Sequence, residues 1–400
     1  MSNAWKLFLY IAIPSLSAAA PLVVIPAITS THGASGWASV AIALAIGNAG
    51  AVLAELGWGV IGPQRVGREP DNRPRIYAES QASKGLAVAV LAPVSALAAF
   101  LVVTEDRGPA ALLAFALVSA AISPSWYFIG TGRPGFVLAS DTVPRVVLSL
   151  LAAVVIARGG SLWFYGASLL AAALVTYVTG NRLGRLPMFQ RLIGPRAAVA
   201  IMRQQSVVIL GRGVSTVYTA LPAAFLGVVS PASVATFAAV DRPMRMGLNV
   251  LSALPTRLQS WLGHPDESVA LSRSRKSILL NIGLGIFAGG VFVIAMPLIV
   301  PVLFSNTITI EPSVSLLGGF LVLLICASRG MGLSLVSAAS ANSITYAVIA
   351  AAAVGLVGIF VLGGIWGVQG AFIALIVAET TGLVVQGALL MRRWRQITTK

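Results

Sequence analysis

Cysteine occurs once in the chain, as Cys326, and histidine twice, as His32 and His264. A lone thiol in an apolar run excludes a disulfide within the chain. Two distant histidines in expected loops provide no metal ligand set, so the sequence implies no metal site and no cofactor. Charge is equally scarce. Charged residues make up 10% of the chain, only 12 of them acidic, where soluble domains carry about 25%. A Gly-rich nucleotide loop is also missing, because "GTGRPG" at 130–135 lacks the spacing and the closing Lys-Ser/Thr. Without an ATP engine, transport would have to run on an ion gradient, the membrane potential or the substrate gradient. No polar stretch is long enough for a soluble catalytic domain. The expected outward loops, about 30–35, 104–109, 158–161 and 301–313, are too short for the large periplasmic loop of a membrane-embedded glycan polymerase or ligase, so no enzyme is expected.

What is present is apolar. The hydrophobic fraction is 57% and the mean hydropathy +0.90. Runs of 18 or more apolar residues recur along the chain, each long enough to cross a hydrocarbon core of about 30 Å as a helix. Their length and weak alternation argue against a β-barrel. The pattern predicts an all-α polytopic membrane protein with about twelve transmembrane helices, near 7–29, 36–58, 84–103, 110–130, 144–157, 162–181, 205–228, 232–255, 278–300, 314–336, 344–363 and 367–391. The first is read as a retained span and not a signal peptide, because its apolar run is long and carries Pro14, Pro21 and Pro26. Pro222, in the middle of the seventh, marks a candidate flex point.

Net charge is +15. In a membrane protein such an excess reads as the positive-inside bias of loops and not as a nucleic-acid surface. With the amino terminus in the cytoplasm, 21 of the 27 basic residues fall on the cytoplasmic side, Lys84 and Arg145 among them; only Arg107 and Arg158 fall outside. This asymmetry places both termini in the cytoplasm and the chain in the cytoplasmic (inner) membrane. The basic connection 182–204 is expected to lie on the inner surface, with an amphipathic helix. It falls near mid-chain. "ASVAIALAI" at 38–46 matches "ASVATFAAV" at 232–240 in five of nine positions, in corresponding second and eighth spans. Two parallel halves follow, each a six-helix bundle, 1–195 and 196–400.

Seven ionisable residues fall within the predicted spans: Glu55, Arg212, Asp241, Arg242, Arg245, Arg329 and Glu379. Each costs about 2.5–3.5 kcal/mol at the bilayer centre on insertion scales, so each should face protein or a watery cavity. Asp241 and Arg245 are i,i+4 neighbours and can pair; Arg242 and Arg245 share a face. Arg242 is then the charge least accounted for within the segment. The cluster reads either as an ion pair fixing helix packing or as a cationic wall on a central cavity. All four bases are arginine, whose planar fork suits phosphate and carboxylate oxygens. Arg212, Arg242, Arg245 and Arg329 are therefore the expected lining for an anionic substrate. Glu55, Asp241 and Glu379 are candidates for ion coupling or for arginine pairing.

Three stretches carry a family likeness. "SPSWYFIGTGRPGFVLASDTVPRVV" (123–147), "AELGWGVIGPQRVGRE" (54–69) and "AAVDRPMRMGLNVLSALPTRLQSWL" (238–262) resemble segments of bacterial polysaccharide repeat-unit flippases (Wzx-like). Pro124, Trp126, Gly130 and Arg145 hold the positions of the first motif; Pro243 departs from the third. The resemblance implies the fold of the multidrug/oligosaccharidyl-lipid/polysaccharide (MOP) exporter superfamily. It also implies a flippase moving a polyprenyl-pyrophosphate-linked oligosaccharide across the membrane by alternating access. The implied partners are that lipid-linked glycan, membrane lipids and the glycan assembly machinery, with no nucleic acid. The alternative is a multidrug or cation antiporter of the same superfamily, which predicts acids in the first half, where only Glu55 qualifies.

Overall fold

A computed structural model describes residues 3–187, 193–252, 262, 267–338 and 341–398, with side chains from residue 23 onward except at 207, 267, 268, 270, 336–338, 341–344, 393 and 396–398. His264, expected in a loop, lies outside the described residues, as do the basic residues Arg191, Arg257 and Lys400 and the side chains of Lys6, Pro14, Pro21 and Arg393. Every regular element among the described residues is helical. The chain is a multi-pass membrane protein. Eight described helices are long and apolar enough to cross a bilayer, nine if the pair Val208–Ala220 and Pro222–Val229, bent by 55°, is one span.

That count differs from twelve for two physical reasons. Expected spans one and two are two helices that meet directly at a kink within α1 (Asn3–Ala54), where Gly33, at φ 65°, replaces a loop with one left-handed residue. The last two spans join in the same way through Gly367, at φ 55°. The expected eighth span is a helix of 18 residues, but its three charges, Asp241, Arg242 and Arg245, take it out of the apolar set.

Contacts divide the chain into two units, Met1–Thr216 and Val217–Lys400. In the first, α1 packs on α3 (Arg73–Val102), α4 (Arg107–Ser119) and α7 (Val143–Ala157), and α8 (Trp163–Gly184) packs on α4 and α7. Two short helices, α2 (Trp58–Arg68) and α5 (Ser125–Gly130), lie against one another. The boundary falls 21 residues later than the expected 195/196 division. The reason is packing: α9 (Pro195–Gln204) lies on α3, and the start of α10 (Ser206–Ala220) is tied to the end of α1.

The expected fifth span, 144–157, is longer than its apolar run. Helix begins with α6 (Pro134–Val137) and reaches α7 through a π-turn, Leu138–Thr142. Arg145, expected at the cytoplasmic opening of that span, lies inside the longer helix and bonds Asp141 across 2.7 Å. An i,i+4 pair of opposite sign lets a helix continue through polar sequence.

The second unit contains α11 (Pro222–Val229), α12 (Val234–Leu251), α13 (Glu267–Leu303), α14 (Pro312–Ala338), α15 (Ala341–Gly358) and α16 (Gly364–Thr398). Its tightest pairing is α13 on α14. A Cβ at Gly289 would sit 2.5 Å from the Gly319 carbonyl oxygen, and one at Gly285 would sit 3.0 Å from that of Leu323. Small residues four apart let backbones touch where lipid offers no hydrophobic drive.

Candidate functional site

The stretches at 54–69 and 123–147 meet in space. Trp58 and Trp126 lie 5.5 Å apart, Gly62 gives room for the Trp126 ring, and Gly130 abuts the Pro63 backbone. Tyr77 packs on the same group and donates to Asn181 Oδ1 at 2.5 Å. Into this aromatic cluster reaches Lys84, 1% exposed, with Nζ 2.9 Å from the Ser123 carbonyl oxygen and 5.9 Å from the Trp126 ring centroid. The sequence placed Lys84 at a cytoplasmic span edge. In the structure α3 begins eleven residues earlier, so Lys84 is an interior cation.

Glu55 lies at a break within the Val23–Arg68 stretch. Helix α1 stops at Ala54, and Glu55, Leu56 and Gly57 form a turn into α2. Leu56 is left-handed, at φ 57°, a strain of about 1–2 kcal/mol. Residues from far along the chain hold this turn. Arg212 donates to Glu55 Oε2 and to the Leu56 carbonyl, both at 2.7 Å, and the Gly57 N–H donates to Gln205 Oε1 at 2.8 Å. Glu55 is also the carboxylate within electrostatic reach of Lys84. One acid thus pairs with Arg212 and also lies within electrostatic reach of Lys84.

In the second unit, Arg245 and Asp241 form the pair that their spacing predicts, at 2.8 Å. Arg242, half-buried, is engaged as well. Arg329 donates to the Leu248 carbonyl oxygen at 2.6 Å. Glu379, 9% exposed, accepts from Tyr218 at 2.5 Å and bonds Ser328, which in turn accepts from Gln386. Arg245 and Arg329 both act electrostatically on Glu379. Arg245 and Arg329 are thus the two arginines that act on the carboxylates Asp241 and Glu379. Among the described residues, no three His, Cys, Asp or Glu side chains are grouped to hold a metal ion.

Lys84 and Tyr218 were missed from the sequence. Lys84 borders an apolar run and so read as an edge. Tyr218 sits in "GVSTVYTALP", where its hydroxyl company was the only signal.

This arrangement has the fold of the MATE transporters of the MOP superfamily. The chain is similar to a multidrug resistance MATE family transporter of that superfamily, solved in an inward-facing conformation. The TM-score is 0.67 at 14% identity, over 98% of this chain and 98% of that one. It is also similar to the MATE multidrug transporter DinF-BH, at TM-score 0.59 and 18% identity over 94% and 92% of the two chains. A Vibrio cholerae MATE transporter gives 0.50 and 12% over 100% and 98%. At such identities the likeness is one of fold. No curated protein matches. Residues 5–257 match the polysaccharide biosynthesis protein family, and the chain belongs to that family.

Proposed function

We propose that this protein is a flippase that carries an anionic, polyprenyl-pyrophosphate-linked oligosaccharide across the cytoplasmic membrane by alternating access. The observation that carries the reading is membership of the polysaccharide biosynthesis family on a transporter fold. The interior charges support the anionic substrate. Arg329 bonds a backbone carbonyl and not a carboxylate, and all four interior arginines carry guanidiniums able to grip phosphate oxygens. Arg212, Arg242, Arg245 and Arg329 are the residues assigned to meet the head group. Both termini are cytoplasmic in this reading, and about twelve spans form two six-helix bundles.

Removal of the protein from its cells should leave lipid-linked oligosaccharide on the inner leaflet, and its return should clear it. Arg212→Ala, Arg245→Ala and Arg329→Ala should each block clearance while the protein stays in the membrane. Unimpaired clearance by all three would overturn the arginine assignment. A second reading, multidrug or cation antiport, draws on the printed identity of the structural relatives as multidrug transporters. No glycan accumulation on removal, with altered drug sensitivity, would replace the flippase with that antiporter.

A further inference from the structure

A groove of about 1000 Å³ opens in the first unit between α9 and the first turns of α3, apart from the interior charges. One wall is a single helical face: Ala197, Ala200, Ile201 and Gln204 on α9, spaced i, i+3, i+4, i+7. The other carries Arg65, Arg75 and Glu79. Glu79 bridges the two arginines, accepting from Arg65 Nη2 at 3.3 Å and Arg75 Nε at 3.2 Å. Each guanidinium spends one of its five N–H donors on that carboxylate. The groove therefore keeps a net positive charge, and Arg75, with 80% of its side chain exposed, faces open space.

Depth follows from length. Helix α3 has 30 residues, about 45 Å, against a core of about 30 Å. Its apolar run starts after Lys84, so the polar turns from Arg73 to Gln81 lie at the head-group layer. A basic pocket between helices at that depth, on the cytoplasmic leaflet in the orientation the loop charges predict, matches anionic phospholipid head groups. We propose that this groove binds an anionic phospholipid of the surrounding bilayer. Its phosphate lies on Arg65 and Arg75, and its glycerol and upper acyl chains lie along Ala197, Ala200 and Ile201. The groove serves the host membrane and not the transported molecule, so the inference is independent of the flippase reading.

The test uses the full chain, reconstituted with equal phosphatidylglycerol and phosphatidylcholine, and weighs the lipid retained by native mass spectrometry. Phosphatidylglycerol should be retained preferentially. Arg75→Gln should weaken its retention about fivefold, the worth of one cation near the surface. Glu79→Gln, which frees both guanidiniums, should strengthen it. Opposite signs from two neighbouring substitutions separate binding from loss of folding. Equal retention of the two lipids, or both variants behaving as wild type, would overturn the proposal. So would displacement of phosphatidylglycerol by micromolar inorganic pyrophosphate, which would give the groove to the phosphates of a transported lipid.

Discussion

Arg245 donates from Nε to both carboxylate oxygens of Asp241, at 2.9 and 2.8 Å, one turn away on α12. Asp241 is 6% exposed, so its charge depends on that partner. Arg245→Ala should destabilise the protein by about 3 kcal/mol, the usual penalty of an abandoned buried charge. Asp241→Asn in the same chain should recover part of the loss. Thermal unfolding of the two single variants and the double variant in detergent checks this; additive losses would show the two residues to be uncoupled.

The Tyr218–Glu379 bond should also be cooperative. Tyr218→Phe removes a donor from a buried carboxylate and should cost about 2 kcal/mol. Once Glu379 is glutamine, the further loss from Tyr218→Phe should fall to about 1 kcal/mol, the worth of a neutral bond. The same unfolding assay reads both steps.

Gly289 and Gly290 are adjacent and should respond oppositely to alanine. A Cβ at Gly289 meets the Gly319 carbonyl oxygen at 2.5 Å, whereas one at Gly290 meets nothing within 4 Å. Gly289→Ala should force α13 from α14 at a cost of about 1–3 kcal/mol. Gly290→Ala should be neutral or stabilising by up to about 1 kcal/mol through helix propensity. Midpoints measured side by side decide it.

The turn at Glu55–Gly57 should loosen without its distant clamps. Gln205→Ala removes the acceptor for the Gly57 N–H, and Arg212→Ala removes the donors to Glu55 and Leu56. Hydrogen–deuterium exchange of peptides covering the turn should speed up by roughly tenfold in either variant, for a bond worth about 1–1.5 kcal/mol. Peptides from α4 should be unaffected.

Local pattern in the sequence already contained much of this. The apolar runs gave the multi-pass class, and i,i+4 spacing gave Asp241–Arg245. What escaped depended on distance along the chain or on helix ends. Glu55 and Arg212 are 157 residues apart, and no periodicity relates them. The hydropathy of residues 73–84 is too low to announce a helix, so Lys84 looked like a margin. Helix through 134–143 rests on the Asp141–Arg145 pair and a π-turn, which an apolar count does not weigh. The expected loop at 30–35 and the expected break before 367 each shrink to one left-handed glycine, Gly33 and Gly367, because a single residue at positive φ can kink one helix into the next. The segment 196–216 goes with the first unit through side chains of Gln205 and Arg212, not through its composition.

The clamp on the turn after α1 also sets an order of events during synthesis. Gly57 awaits an acceptor 148 residues downstream, and Glu55 a cation 157 residues downstream. At about 5–20 residues per second, the nascent chain exists for ~7–30 s with this turn unfastened. Through that interval Leu56 has no reason to hold its left-handed angle, and Glu55 stands as an acid without its arginine. The earliest helices can insert at once, but the first unit closes only when the ribosome has passed its end.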